Sequence, residues 1–295
     1  MRKLVPALLG VSVCLGLSGS ALAAETVQGI TASPYMQSFS LAPGSNYSGS
    51  VDISNPGNNE YDFSVSATPY SVTGEDYEQQ FTARPDLVDA SKWFTFPVAK
   101  YHLKPAQHVP VQFTVHVPSD IAGGGYYAVV FAQADALPGP GVRGQKRVGV
   151  VTYMTVSGDV HKAGRVASFN VPFIQTQPPL HTEIRLQNGG NVHFDSTESV
   201  QVQDLFGNVK AQLEAQHIIM PKSIRRVTLD WDKSPSFGLY RVTGTVKYLD
   251  HTEKLPTRWT LMLSANAFLI IAGVLVAMGL FAFLTRRGRG NVRRG

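Results

Sequence analysis

Cysteine is almost absent from this sequence of 295 residues, since Cys14 is the only one. Cys14 lies in an apolar N-terminal stretch that we predict to be removed as a signal peptide, so we expect a mature chain without disulfide bonds. An extracellular protein without disulfides depends on a buried apolar core for its stability. The chain left between its two ends is long enough for one or two such cores.

Sequence patterns of catalysis are missing as well. The eight histidines are scattered singly, without cysteine or carboxylate partners at the spacing of metal ligands. The motifs G-x-S-x-G and H-E-x-x-H do not occur. Asp230 and Asp232 flank Trp231, but strand alternation points both carboxylates away from the indole, as on a solvated strand face. We therefore predict that the protein is not an enzyme and has no metal site and no cofactor.

The N-terminus has the parts of a secretory signal peptide. Arg2 and Lys3 form a positive start, an apolar stretch follows over residues 4–17, and small residues lie at 21–23. The apolar stretch is too short to span a bilayer comfortably. We predict a signal peptide over residues 1–23.

The C-terminus carries a long apolar run. Leu261 to Leu284 contains no charged residue, and as a helix it would be about 36 Å long against about 30 Å of hydrocarbon. The run predicts a transmembrane helix over residues 260–284.

A basic tail, residues 285–295, follows this run. Its arginines, Arg286 and Arg287 among them, predict a cytoplasmic C-terminus by the positive-inside rule, and Trp259 lies where an interfacial aromatic residue is expected. We predict that these three residues anchor a single-pass type I protein of the cell membrane, with an extracellular ectodomain.

The excess of basic residues belongs to the two ends of the chain. The whole sequence has a formal charge of +5, but without the leader and the tail 19 Lys and Arg remain against 21 Asp and Glu, a net charge of −2. A nucleic-acid partner is therefore not expected, because such proteins carry basic surfaces.

Alternation of apolar and polar residues dominates between the two ends. In the segment VQFTVHV, Val111, Phe113, Val115 and Val117 point one way and the polar residues the other, which predicts a half-buried antiparallel strand. Turn signals such as NPGN and NGGN separate similar segments at the spacing of β-sandwiches. We predict an all-β fold of two tandem immunoglobulin-like β-sandwich domains, 24–158 and 159–259, followed by the single transmembrane helix.

Two regions of the chain, 103–131 and 219–246, repeat one pattern. Each has a proline turn, an alternating strand, a second proline-bearing loop, and then glycine, tyrosine and valine. The last part is Gly125-Tyr126-Tyr127 in one copy and Gly238-Leu239-Tyr240 in the other. Glycine provides the positive φ or the close approach that a sandwich corner needs, and a tyrosine buries its ring while its hydroxyl bonds nearby backbone. We predict a structural corner at both places; a phosphate-binding loop would need a helix after the glycines.

The largest irregular segment is an insertion, residues 74–92, that is acidic and aromatic. Tyr77 within it, and Trp93 and Phe94 directly after it, are candidates for ligand binding, because aromatic rings stack on sugars or anchor protein partners. Two alternatives remain open. Tyr77 would pack onto the sandwich within a solvated loop, and Trp93 and Phe94 would belong to the core of a strand over 93–98.

Short motifs in a fixed order link the chain to a known family. L-x-P-G-x (Leu41–Ser45) precedes a strand that ends in N-x-G (Asn55–Gly57), and P-x-x-I-x-x-G-x-Y (Pro118–Tyr126) and R-V-G-V (Arg147–Val150) follow. With its predicted leader, second domain and basic tail, the chain resembles the bacterial WxL-interacting proteins. This resemblance implies a peptidoglycan-binding first domain and a host- or partner-binding second domain. Part of the pattern is shared with pilus-assembly chaperones.

Two functional hypotheses follow. The first is a membrane-anchored bacterial cell-surface adhesion or scaffolding protein that binds cell-wall glycan or a surface-protein partner. The alternative is a chaperone-like assembly factor for secreted surface proteins, which would act by β-strand addition at an exposed sheet edge.

Overall fold

The structure is a computed structural model and describes residues 29–135 and 145–291. The predicted signal peptide, 1–23, and with it Cys14, lies outside the described residues. The described chain consists mainly of β-strands, with a short 3₁₀ helix at Ala90–Trp93 and an α-helix, α1, at Ala265–Asn291.

The strands up to Val156 belong to a first sandwich. They are β1 (Thr31–Ser33), β2 (Met36–Leu41), β3 (Asn46–Ser54), β4 (Tyr61–Pro69), β5 (Ser71–Thr73), β6 (Glu78–Gln80), β7 (Phe94–Thr95), β8 (Lys100–Leu103), β9 (His108–His116), β10 (Gly124–Ala134) and β11 (Arg147–Val156). One sheet has the order β1-β3-β9-β7 and the facing sheet the order β2-β11-β10-β4-β8, while β5 and β6 form a separate hairpin. The chain changes sheets between β1 and β2.

Alternation explains how these strands form a core. On β9, Val111, Phe113 and Val115 are each at most 1 % exposed, whereas their neighbours Gln112 and Thr114 lie towards the surface. Burying apolar side chains of this size stabilises the fold by about 1.5–3 kcal/mol each. From the facing sheet, Phe63 on β4 and Met154 on β11 complete the same core.

The strands after residue 163 form a second sandwich. They are β12 (Gly164–Asn170), β13 (Ile174–Gln175), β14 (Glu183–Asn188), β15 (Phe194–Gln203), β16 (Val209–Ile219), β17 (Ser223–Thr228), β18 (Phe237–Tyr248), β19 (His251–Lys254) and β20 (Arg258–Leu263). One sheet has the order β12-β14-β17 and the other the order β13-β20-β18-β15-β16, with β19 paired to β18. Its core includes Ile184, Leu186, Val200 and Val242, all fully buried.

The predicted transmembrane helix over 260–284 is wrong. Within residues 29–135 and 145–291, none of the helices is both long and apolar enough to cross a membrane. The apolar run that suggested one span is divided between two elements. Residues 261–263 lie in β20, where Met262 is fully buried in the second sandwich and Leu261 N donates to Phe173 O, and α1 begins only at Ala265.

The predictions that depended on this span change with it. The fold is not all-β with a membrane anchor, and the single-pass membrane location and the membrane as a partner are wrong. Trp259, one of the predicted anchor residues, is a residue of β20 and pairs with Arg241 on β18. The side chains of Arg286 and Arg287 lie outside the described residues.

Candidate functional site

The corner glycines of the repeat stand at the start of β10 and β18. Gly124 has φ of 152° and Gly238 has φ of 147°, both in the range that favours glycine. In each copy a tyrosine two or three residues further on turns back over the glycines. A Cβ built on Gly125 would lie 2.1 Å from Tyr127 Oη, and one built on Gly238 would lie 2.6 Å from Tyr240 Oη. These positions therefore need glycine because an aromatic ring occupies the space of a side chain.

Tyr126 makes the backbone contact that the corner motif predicts. Its hydroxyl donates to Ala122 O over 2.7 Å, and its ring lies 4.8 Å from that of Trp93. Trp93 and Phe94 are 6 % and 8 % exposed and belong to the first core. Phe94 contacts Phe113, with ring centroids 5.4 Å apart. The structure thus places both candidate ligand-binding residues inside the sandwich, where they offer no surface for stacking on a sugar.

Tyr77, the third candidate, links the insertion to the second sandwich. Its hydroxyl accepts a hydrogen bond from Met220 N over 2.9 Å and lies 2.5 Å from Ser223 Oγ. The guanidinium of Arg225 covers its ring at 4.5 Å. Burial raises the pKa of the Tyr77 hydroxyl. Tyr77 therefore connects the insertion of the first sandwich to the second sandwich.

Two ion pairs reinforce this contact. Arg185 Nε donates to Glu75 Oε2 over 2.7 Å, and a second nitrogen of the same guanidinium donates to Oε1. Arg226 Nε lies 3.0 Å from Asp76 Oδ1. The Arg185 guanidinium holds the pKa of the Glu75 carboxyl below its usual value. Two acidic residues of the insertion thus form ion pairs with arginines of β14 and β17.

An aromatic cluster lies between the two sandwiches. Its buried members are Tyr70, Val129, Phe131, Tyr153 and Met220, and we call them the interface cluster. His193 of the second sandwich lies against it, 5.0 Å from the ring of Tyr153 and 5.5 Å from that of Tyr127. His193 N donates to Tyr127 Oη over 3.0 Å. Burial lowers the pKa of the His193 imidazole.

Asn191 forms hydrogen bonds to the join, which is the segment 157–163 between the two sandwiches. Its Nδ2 donates to Asp159 O over 2.7 Å and to Gly123 O over 3.2 Å, and its Oδ1 accepts from His161 N over 2.7 Å. Gly125 N donates to Asn191 O over 2.8 Å. The sequence showed NGGN only as a turn signal, and nothing in it indicated that Asn191 bonds the first sandwich.

A cavity of about 550 Å³ opens beside these contacts. The insertion, the corner glycines 123–125 and the turn 220–223 line it. Ser71, which is 6 % exposed, also lines it, and its hydroxyl has no hydrogen-bond partner among the described residues.

Titratable side chains lie together in pairs between neighbouring strands. His217 Nδ1 lies 2.8 Å from the fully buried Glu198, whose other oxygen accepts from Ser196 Oγ over 2.5 Å. On the first sandwich, His102 Nδ1 lies 2.9 Å from Asp62 Oδ1. In the described part of the chain, no three histidines, cysteines or carboxylates are placed to hold a metal ion.

The backbone of β11 has an open segment. β2 pairs with it only from Val151 to Val156, so Arg147–Val150 has β10 on one side and, among the described strands, none on the other. Val151 N donates towards Tyr35 O on the β2 side, at 3.4 Å. Backbone groups of alternate residues in a strand point the same way, so Gly149 and Arg147 direct theirs to the unpaired side.

The side chains of the open segment that face the core are apolar, and that of Arg147 packs on an aromatic ring. Val150 is 1 % exposed, and Val148 is half-buried against the first core. The guanidinium of Arg147 lies 3.9 Å from the centre of the Phe131 ring. Tyr35, which precedes β2, is 75 % exposed at the end of the open segment. The arrangement has the parts that strand addition needs: unpaired backbone groups and an apolar floor.

Comparison with known proteins gives similarity in structure but not in sequence. No protein-family model and no curated protein matches the chain. The resemblance to WxL-interacting proteins therefore stays a prediction.

Solved structures similar to this chain include three with pilus-assembly chaperones. The class 5 fimbriae chaperone CfaA has a TM-score of 0.39 and 11 % identity, covering 80 % of this chain and 99 % of that one. The CsuC–CsuE chaperone–tip adhesion subunit complex of Acinetobacter baumannii has a TM-score of 0.40 and 11 % identity, covering 77 % and 98 %. The SafB chaperone with the SafA pilin of Salmonella enterica has a TM-score of 0.41 and 10 % identity, covering 81 % and 98 %.

These structures belong to the class named in the alternative hypothesis, the chaperone-like assembly factors. The cell-wall glycan predicted as a partner is wrong together with the anchor, since Trp93 and Phe94 are buried in the core.

Proposed function

We propose that the protein is a chaperone-like assembly factor that holds an extended segment of a secreted partner by β-strand addition. The observation that carries the proposal is the open segment of β11, Arg147–Val150, which has β10 on one side and no described strand on the other. An added strand would continue the sheet beyond the start of β2 and cover the segment.

The chemistry of this addition is that of a sheet edge. The N–H and C=O groups of Arg147 and Gly149 offer donors and acceptors at the spacing of a β-ladder. Main-chain hydrogen bonds of this kind give affinity with little dependence on sequence, and side-chain contacts add specificity. Val148 provides an apolar contact at the rim of the core, and the guanidinium of Arg147 packs on the Phe131 ring of the neighbouring strand.

The proposed role is binding without chemical transformation of the partner. The histidines and carboxylates that lie together do so in pairs that join neighbouring strands, such as Asp62 with His102 and Glu198 with His217.

Two substitutions of Arg147 test the proposal on the full chain. Arg147→Pro removes the N–H that faces the unpaired side, and proline is tolerated at the first residue of a strand. Arg147→Ala is the matched control, because it removes the same guanidinium and keeps the N–H. The tagged chain is purified from its native cells, and the stoichiometry of any co-purifying secreted protein is measured.

The wild type and Arg147→Ala are expected to retain one partner in equimolar amount, and Arg147→Pro is expected to lose it. Hydrogen exchange of the complex should show new protection of the Arg147 and Gly149 amides. Equal retention by Arg147→Pro, or protection confined to other strands, would contradict the proposal.

A further inference from the structure

A second unpaired edge lies in the other sandwich, on β16. This strand pairs with β15 from Val209 to Ile219, and no described strand pairs with its other side. Long free edges are templates for pairing with another chain, and proteins shorten, bend or cover them. At 11 residues, β16 is among the longer strands of the described chain and is not shortened in this way.

The exposed face of β16 carries charges in a self-complementary order. Lys210, Gln212, Glu214 and Gln216 are exposed, and the residues between them are half-buried. If two such strands pair antiparallel about a two-fold axis at Gln212, Lys210 of each copy lies opposite Glu214 of the other, while its Nζ also lies 3.0 Å from Asp204 Oδ2 of its own chain. Opposite charges directly across a ladder are favourable and like charges are unfavourable.

Neighbouring registers lack this match. An axis at Lys210 or at Glu214 would put two like charges directly opposite each other. An axis at Ala211 would place Lys210 opposite Gln212 and Glu214 opposite Asn208, and an axis at Leu213 would place both charges opposite glutamines. Only the register centred on Gln212 gives two opposite-charge pairs.

The half-buried face fits the same register. Ala211 of one copy lies opposite Leu213 of the other, and both side chains already pack against the second core. Val209, 51 % exposed, lies opposite Ala215. The hairpin tip between β15 and β16, where Phe206 is 89 % exposed, comes to the level of Ile218 of the second copy. Pairing thus covers Val209, whereas Ala211, Leu213 and Ile218 already pack within each copy.

We propose that two copies of this chain dimerise through antiparallel pairing of their β16 edges, centred on Gln212. The proposal concerns the second sandwich and a different edge from the one assigned to the secreted partner. Either proposal can fail without the other.

Charge reversal tests the register. Lys210→Glu gives a chain with acidic side chains at both positions, and Glu214→Lys gives a chain with basic side chains at both. Each variant alone is expected to raise the dimer dissociation constant about tenfold, because two attractive pairs become repulsive. An equimolar mixture of the two variants is expected to restore the dimer as a mixed species. Analytical ultracentrifugation over the micromolar range measures both.

A cysteine at the axis gives a second measurement. Residue 212 of one copy lies directly opposite residue 212 of the other, with Cα atoms about 4.5–5.5 Å apart as in any antiparallel pair, which is within the Cα range of disulfides. In a Cys14→Ser background, Gln212→Cys is expected to form a disulfide-linked dimer on oxidation. Gln216→Cys, on the same face but off the axis, is expected to form no disulfide-linked dimer on oxidation. Lys104→Glu, on an exposed turn of the first sandwich, controls for the change of net charge.

A wild type that stays monomeric over the micromolar range would overturn the proposal. Variants of Lys210 and Glu214 that dimerise as well alone as in mixture would overturn the register, as would equal crosslinking at positions 212 and 216.

Discussion

Tyr77 Oη accepts a hydrogen bond from Met220 N over 2.9 Å, across 143 positions of sequence. The tyrosine belongs to the insertion of the first sandwich and the amide to the turn after β16. The bond satisfies a buried backbone donor, which is costly to leave without a partner.

Tyr77→Phe should therefore destabilise the protein by about 1–2 kcal/mol, since the Met220 amide loses its acceptor and the ring stays in place. The free energy of unfolding in urea measures the effect. Tyr35→Phe is the control, because Tyr35 is 75 % exposed and its hydroxyl makes no hydrogen bond to another described residue. A Tyr77→Phe variant as stable as the wild type would show that the hydroxyl does not hold the two sandwiches together.

Gly125→Ala should destabilise the first sandwich by about 1–3 kcal/mol, because the new methyl group overpacks the corner. The Cβ would lie 2.1 Å from Tyr127 Oη, and that hydroxyl cannot move away without losing its bond from His193 N. Gly189→Ala is the matched control, since its nearest neighbour would be 3.8 Å away. Thermal unfolding of the two variants side by side makes the comparison, and similar melting temperatures would contradict the role assigned to the tyrosine ring.

The stability of the protein should fall as the pH drops below about 6.5, the ordinary pKa of histidine. Burial lowers the pKa of His193 in the folded state, so the unfolded state binds more protons between that lowered pKa and 6.5. The free energy of unfolding therefore decreases with falling pH in this window, by at most about 1.4 kcal/mol per pH unit for one group.

His193→Gln should reduce this dependence, because the variant has no imidazole to protonate against the interface cluster. The measurement is the unfolding free energy of wild type and variant at a series of pH values on both sides of 6.5. Parallel curves would mean that His193 does not contribute.

Burial along a strand could be predicted from the sequence where apolar and polar residues alternate between its two faces. The alternation in 109–118 placed Val111, Phe113 and Val115 in the core, and the repeat of glycine and tyrosine placed the two corners. Such features depend on residues close in sequence, and period-two burial is a strong signal.

The contacts of the insertion were not predictable in this way. Glu75 and Arg185 are 110 positions apart, and a pattern of single residues contains no information on which acid meets which base. From the sequence, Tyr77 and Trp93 suited a binding surface as well as a core. In the structure Tyr77 contacts the second sandwich through Met220, and Trp93 is buried in the core of the first.

The prediction of a transmembrane helix at the C-terminal apolar run was wrong for a related reason. Hydropathy adds apolar residues along the chain and does not register that Leu261–Leu263 pair with neighbouring strands. A strand that ends a buried sheet and a helix that follows it give the same sum as one continuous span.

The hydrogen bonds of Asn191 bear on how the two sandwiches are oriented to each other. Because its side chain bonds both Gly123 and Asp159, the start of β10 and the join are held by one residue, with the aromatic contacts beside them. If both proposals hold, a segment added at β11 would be linked to β16 of the same chain through these contacts, and two chains paired at β16 would present two such segments related by the two-fold axis.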